Sequence, residues 1–239
     1  MSHSTERPSD RALQAIIFDF DGVIANSEPL HLQAFQRALA ERGIELTGRE
    51  YYSRYLGYDD IGVFQALARD RRIPMSERDV TALVARKGVN LQAMLNTGSV
   101  LFPGAAEFIR QAAAAVPIAI ASGALRHEID EIMDAARLSS LFAVVISSGD
   151  TPESKPSPAP YALAFERLRH STGIGLDARR CVAIEDSRWG VESARGAGLR
   201  CVGVTNSYPP HELGEVELVV SGLDALTLDQ LDRLCTSDA

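Results

Sequence analysis

Lysine is nearly missing from this 239-residue chain: among 24 basic residues only Lys87 and Lys155 are lysines, and all others are arginine. A basic surplus is missing as well, since 32 acidic side chains leave a net charge of −8. Binding to nucleic acid by bulk charge needs a basic face, so that class is set aside. Cysteine is sparse. Cys181, Cys201 and Cys235 show neither zinc-ligand spacing nor a disulfide framework, and read as reduced thiols, two of them inside apolar runs. The strongest apolar stretch, Ala112–Ala121, is broken by Pro117 and is too short to span a bilayer. The N-terminal MSHSTERPSDRA carries no apolar segment of the signal-peptide kind, so the expected location is cytoplasmic. Repeats and low-complexity segments are lacking too. A hydrophobic content of 46% with 23% charged residues fits an ordinary globular protein of one or two domains.

Short continuous apolar runs predict strands buried on both faces at Ala15–Phe20, Pro117–Ala121, Ala143–Ser147, Cys181–Ile184, Cys201–Val204 and, more weakly, Leu218–Val220. Segments with apolar residues three and four apart lie between them: Gly104–Ala115, Arg126–Ala136, Ala159–Arg169 and Ser187–Ala197. This alternation predicts an α/β fold, a doubly wound, Rossmann-like parallel sheet. The rhythm breaks between the first two strands. There the pattern is helical only, at Leu30–Arg42, Glu50–Leu56, Gly62–Arg72 and Ser76–Leu95, the last opened by a Ser76/Asp79 capping box. The expected division is a core of residues 1–27 and 99–239 with an inserted all-helical domain at 28–98.

Ligands of open parallel sheets sit outside the carboxyl ends of the strands. After the first expected strand end stand Asp19 and Asp21, two residues apart on extended chain and so on one side, followed by Gly22. Two carboxylates held close need a cation, and Mg²⁺ suits oxygen ligands. An aspartate can also serve as a nucleophile. After the second comes Ser122-Gly123-Ala124, expected to open a helix and so to offer a hydroxyl and free N–H groups to an anion. After the third, Pro156 and Pro158 stiffen the segment that carries Lys155, a point charge suited to phosphate, and Pro158 suits the first turn of the next helix. After the fourth come Glu185, Asp186 and Ser187, a further carboxylate for the cation, a supporting one and an N-cap. Each pattern has a plain structural reading: an Asp-Gly turn, an N-cap, a loop lysine, an acidic helix start. Their occurrence at successive strand ends makes them one cation and phosphate site.

Four motifs in this order, DFDGVIANS, ASG, SKPSP and EDS, resemble those of the haloacid dehalogenase superfamily, over essentially the whole chain from Ala15 onward. The helical insert after the first motif looks like the cap of its beta-phosphoglucomutase and phosphoglycolate phosphatase group. The resemblance implies that Asp19 takes the phosphoryl group and that Asp21 is the general acid/base. It implies Mg²⁺ held by Asp19, Asp186 and the Asp21 carbonyl with support from Glu185, and a phosphoryl group held by Ser122, Gly123 and Lys155. An ordinary carboxyl pKa of about 3.9 would leave Asp19 ionised without a base, whereas Asp21 must hold a proton. Gly22, Ser27, His31, Lys87 and Arg126 are expected on the substrate side, Lys87 as a sugar-phosphate contact.

Two departures stand out. The mutases grip a distal phosphate with an early cap arginine, and the aligned position here is Asp60; the second motif has Arg126 where mutases often have asparagine. Loss of the clamp favours hydrolysis over isomerisation. The expected activity is a Mg²⁺-dependent phosphatase of small phosphate monoesters, of the sugar phosphate or phosphoglycolate kind. The alternatives are a beta-phosphoglucomutase-type phosphomutase and a phosphometabolite-binding module without turnover. Dehalogenation fits poorly because Asp21 is present.

Overall fold

A computed structural model of the chain describes residues 11–56, 58–95, 100–173 and 175–236. These form two compact units, residues 1–26 with 100–239 and residues 27–99. The second expected domain junction, residues 96–99, lies outside the described residues.

The first unit is an α/β fold around a parallel sheet of β1 (Ala15–Phe18), β2 (Ile118–Ala121), β3 (Val144–Ile146), β4 (Cys181–Glu185), β5 (Arg200–Val204) and β6 (Leu218–Val220). The spatial order is β3-β2-β1-β4-β5-β6. The chain therefore enters in the middle, and the winding direction reverses between β1 and β4. In register, Phe18 of β1 lies beside Ile120 of β2 and Ile184 of β4. Both strand faces are covered, as continuous apolar runs require. Ile17, Ala119, Ala121, Ile146, Ala183 and Cys201 pack against Tyr161, Ala164 and Leu168 of α7 (Ala159–Thr172) and Val191 and Ala194 of α8 (Arg188–Gly196). On the other face Phe18 meets Phe108 of α5 (Ala105–Ala115) edge-on, with ring centroids 6.2 Å apart. Cys181 and Cys201 are buried and all three thiols are free.

β1 stops two residues short of the expected Phe20. The Phe20 carbonyl accepts the amides of Val23, Ile24 and Ala25, so the chain already turns there. The loop Ser122–Leu125 also departs from expectation. α6 (Arg126–Ala135) starts only after Leu125, and Ser122 Oγ is occupied with the Ala124 amide at 3.0 Å. Pro158 is the residue before α7, and Pro160 takes the first turn. A final helix, α9 (Leu228–Thr236), lies outside the expected set.

The second unit contains α1 (Glu28–Ala40), α2 (Gly48–Arg54), α3 (Asp60–Arg71) and α4 (Glu77–Leu95). Its core joins Phe35 and Leu39 of α1, Tyr51 of α2, Phe64 and Leu67 of α3, and Val80 and Leu83 of α4. The capping box forms as read: Ser76 N–H donates to Asp79 Oδ2 at 3.0 Å, and Asp79 N–H donates to Ser76 Oγ at 3.2 Å.

Candidate active site

The acidic residues gather where the winding reverses, outside the carboxyl ends of β1 and β4. Asp19 follows β1 directly and its amide still pairs with the Ile184 carbonyl at 2.9 Å, which fixes its backbone to β4. Lys155 Nζ bridges the two strand ends, 2.9 Å from Asp19 Oδ1 and 2.6 Å from Glu185 Oε1. The Lys155–Pro156 peptide is cis.

Glu185 is fully buried and every oxygen is committed. Oε1 also accepts the Tyr161 hydroxyl at 2.9 Å, while Oε2 accepts the amides of Asp186 and Ser187 and the Ser187 hydroxyl. Its task is to anchor Lys155 and the turn after β4, a supporting one. Asp186 stands beside it and is hydrogen-bonded by the Ser207 side chain. Two glycines make room. Gly22 has φ +79°, and a Cβ there would lie 1.8 Å from Asp186 Oδ2; a Cβ on Gly190 would lie 1.8 Å from the Glu185 carboxylate. Gly22, expected on the substrate side, thus has a steric reason to be glycine. Its carbonyl accepts Asn206 Nδ2 at 2.7 Å.

Asp19, Glu185 and Asp186 each offer an oxygen, and these lie within 4.8 Å of one another, all in buried residues. Burial, then Glu185, pushes the Asp19 carboxyl well above its usual range against the opposing pull of Lys155. The same two causes raise Asp186 to about 7. Burial lowers the Lys155 pKa, but Asp19 and Glu185 outweigh it and the net shift is upward. Burial and the neighbouring carboxylates thus oppose ionisation of Asp19, and the Lys155 ammonium favours it. One ammonium cannot balance three carboxylates, and an all-oxygen donor set of this kind fits a hard divalent cation.

Ser122 is buried, with its amide on the Ile146 carbonyl, while Gly123 is exposed. The amides there belong to a loop, since α6 begins later. Asp21 is half-buried, and its charge bears on Asp186. Arg126 is exposed and its Nε holds Asp130 one turn along the same helix, at 2.8 Å.

In the helical unit, Lys87 is 1% exposed. Its Nζ lies 2.8 Å from Asp60 Oδ1, 2.9 Å from His31 Nδ1 and 5.1 Å from the centroid of the Phe35 ring. Asp60 thus compensates Lys87, where the sequence suggested only repulsion of a phosphate. Burial, then Lys87, lowers the His31 pKa to about 3, so the ring is neutral and its Nδ1 accepts from the ammonium. Ser27 is buried ahead of α1, and its carbonyl accepts the Leu30 and His31 amides. His127, His170 and His211 are exposed, as expected.

Tyr161, Gly190, Asn206 and Ser207 escape the sequence reading. Asn206 and Ser207 carry the same signal as the others, since they follow β5 closely; Tyr161 and Gly190 carry none without knowledge of where Glu185 points.

A family profile described as haloacid dehalogenase-like hydrolase matches residues 16–204. The chain is similar to CbbY of Rhodobacter capsulatus, 33% identical over 205 residues that cover 82% of this chain and 87% of that one. It is 28% identical to phosphoglycolate phosphatase of Yersinia pestis, with 83% of each covered. The crystal structure of a mutant CbbY from Rhodobacter sphaeroides in complex with xylulose-(1,5)bisphosphate superposes with a TM-score of 0.78 at 27% identity, covering 92% of this chain and 99% of that one.

Gly22→Ala should cost about 2 kcal/mol or more, from a positive φ and a Cβ forced onto Asp186. Denaturant unfolding checks this, and unchanged stability would contradict the close approach. His31 is neutral in the fold but has an ordinary value of 6.5 when unfolded. The unfolded chain therefore binds the extra proton, and stability falls as pH drops from 6.5 toward about 3. His31→Gln should lose less stability than the parent between pH values of roughly 7.5 and 5; equal losses in both would exclude a neutral buried His31.

Proposed function

The chain belongs to the haloacid dehalogenase-like hydrolases, and on that premise we propose that it is a Mg²⁺-dependent phosphatase of small phosphate monoesters. The observation that carries this reading is Lys155 bridging Asp19 and Glu185 beside Asp186 at the ends of β1 and β4. Lys155 and the Phe20 amide both donate to Asp19 Oδ1. Oδ2 is then the oxygen that attacks phosphorus as the bond to the leaving oxygen breaks. Asp21 gives its proton to that oxygen, then takes one from the water that hydrolyses the phosphoaspartate and frees Asp19. Lys155, the Ser122 hydroxyl and the Gly123 amide hold the phosphoryl oxygens, because this chemistry depends mostly on positioning and charge compensation. Asp19, Asp186 and the Asp21 carbonyl would hold Mg²⁺, which when bound supplies positive charge to the phosphoryl oxygens. Glu185 enters this set only as support, since its oxygens already receive donors.

The substrate reading extends to a sugar monophosphate, with the α/β unit catalytic and the helical unit, the cap of the sequence reading, selecting the organic portion. Ser27, His31 and Lys87 are its proposed contacts, and Arg126 an additional one. The Lys87–Asp60 pair and a neutral His31 together bring no surplus charge, which suits hydroxyl groups better than a second phosphate. Free thiols at Cys181 and Cys201 are in keeping with a cytoplasmic location. No described helix is long and apolar enough to cross a membrane.

Asp19→Asn should lower phosphate release by about 10³-fold or more with the fold retained. Near-normal turnover would remove Asp19 from the nucleophile role. With a sugar 1-phosphate and a bisphosphate primer, free phosphate is the expected product, and isomerised sugar phosphate would establish a mutase instead. Absence of turnover on a broad monoester panel, with binding kept, would establish a binding module. Asp60→Asn should raise kcat/KM for bisphosphates relative to monophosphates by about tenfold, since Lys87 loses its carboxylate. An unchanged ratio would separate Asp60 from selectivity.

A further inference from the structure

The loop after β5 belongs to none of the four motifs, yet it reaches the acidic cluster. Thr205 continues the ladder to β6, its amide on the Val220 carbonyl at 3.1 Å. Asn206 then reaches past the end of β4, which lies between β5 and β1, to the turn after β1. Its Nδ2 donates to the Gly22 carbonyl at 2.7 Å. The Gly22 amide, which shares a peptide plane with the Asp21 carbonyl, donates to the Ala25 carbonyl at 2.9 Å. Ser207 comes next, and its hydroxyl donates to the buried carboxylate of Asp186. A Cβ on Gly22 would lie 1.8 Å from Asp186 Oδ2 and 2.9 Å from Ser207 Oγ, so these three residues meet at one point.

A contact at the surface closes this arrangement into a ring. Trp189, the only tryptophan of the chain, stands three residues after Asp186 in the first turn of α8. Its indole meets the Tyr208 ring edge-on, with centroids 6.2 Å apart, and Tyr208 is the residue after Ser207. The ring runs from Asp186 along α8 to Trp189, across to Tyr208, back one residue to Ser207, and by hydrogen bond to Asp186 again. The Arg188 guanidinium lies 5.9 Å from the centre of the indole. Trp189 is 47% exposed, so it adds less to the core than a buried indole would, and its main contact is this one. A closed ring removes the freedom by which the loop would carry Ser207 away from the carboxylate.

On the reading that Asp19, Asp186 and the Asp21 carbonyl hold Mg²⁺, we propose that Ser207 and Trp189 are positioning residues for that cation. Ser207 aims the Asp186 carboxylate, and the Trp189–Tyr208 contact keeps Ser207 in place. A carboxylate that offers one oxygen to a cation is free to rotate until a donor fixes it. Partners of this kind, one step out from the ligands, govern metal affinity. Mg²⁺ is sensitive to a misdirected ligand because it demands near-ideal octahedral geometry.

The test titrates the metal-free full-length chain with Mg²⁺ in a calorimeter. Ser207→Ala should weaken binding about tenfold or more, and Ser207→Thr, which keeps the hydroxyl, should bind nearly as the parent does. Trp189→Ala should weaken binding about threefold, and Trp189→Phe, which keeps a ring against Tyr208, should weaken it less. Should Ser207→Ala fail to fold, the emission of Trp189 in the parent gives the answer. A shift on adding Mg²⁺, with its midpoint at the calorimetric one, supports the link, and a flat emission overturns it. A parent chain that binds no Mg²⁺ removes the cation reading and this proposal with it. Binding by the parent that is unchanged in Ser207→Ala or in Trp189→Ala overturns this proposal alone.

Discussion

A single ammonium, that of Lys155, joins two strand ends whose carboxylates would otherwise repel. It ties Asp19 after β1 to Glu185 at the end of β4, across the point where the winding of the sheet reverses. Much of the local architecture serves that link. Tyr161 reaches from α7 to share Glu185, Ser187 caps α8 while donating to the same carboxylate, and Gly190 keeps its backbone open so that Glu185 can lie there. A buried charge cluster of this kind is a poor source of stability, because desolvation offsets most of the attraction. It makes sense as a device for placing charge, and the surrounding apolar sheet supplies the stability that tolerates it.

The strands were readable because each is a short apolar run ending in polar residues, and parallel sheets place ligands at those ends. That is why Asp19, Lys155, Glu185 and Asp186 could be named from sequence and are found together. Helical periodicity with a capping box likewise marked α4. What escaped reading depends on long-range packing. Nothing local shows that Asp60 on α3 would meet Lys87 on α4, or that Tyr161 would face the sheet. The raised Asp19 carboxyl follows from burial and neighbours, neither of which is a property of the motif. α9 escaped because it is short and buries only Leu231. The motif at Ser122 reads as a helix start, but its hydroxyl accepts the Ala124 amide and α6 begins only at Arg126.

The scarcity of lysine separates two styles of cation handling in one chain. Lys87 is buried and Lys155 nearly so, and both serve as point charges between carboxylate and neighbour, Lys155 in the sheet unit and Lys87 in the helical one. Arginine, with its planar fork, does the outer work: spanning loops, holding carbonyls and pairing along helices, as at Arg180 and Arg126. The two side chains are not interchangeable at these positions, since a guanidinium would not fit where Lys155 meets Asp19, Glu185 and the Tyr161 ring together.

The central place of β1 also governs the order in which the molecule can be assembled. β1 is the first strand made, yet its neighbours β2 and β4 arrive about one hundred and more than one hundred and sixty residues later. The helical unit is contiguous and closes on contacts within residues 27–99, so it can form while β1 waits unpaired. Only when β4 has been synthesised does Glu185 come to meet Lys155 and Asp19. The acidic cluster therefore waits for the fourth strand of the growing chain. A nascent chain cannot bring these carboxylates together until four of its six strands have been made.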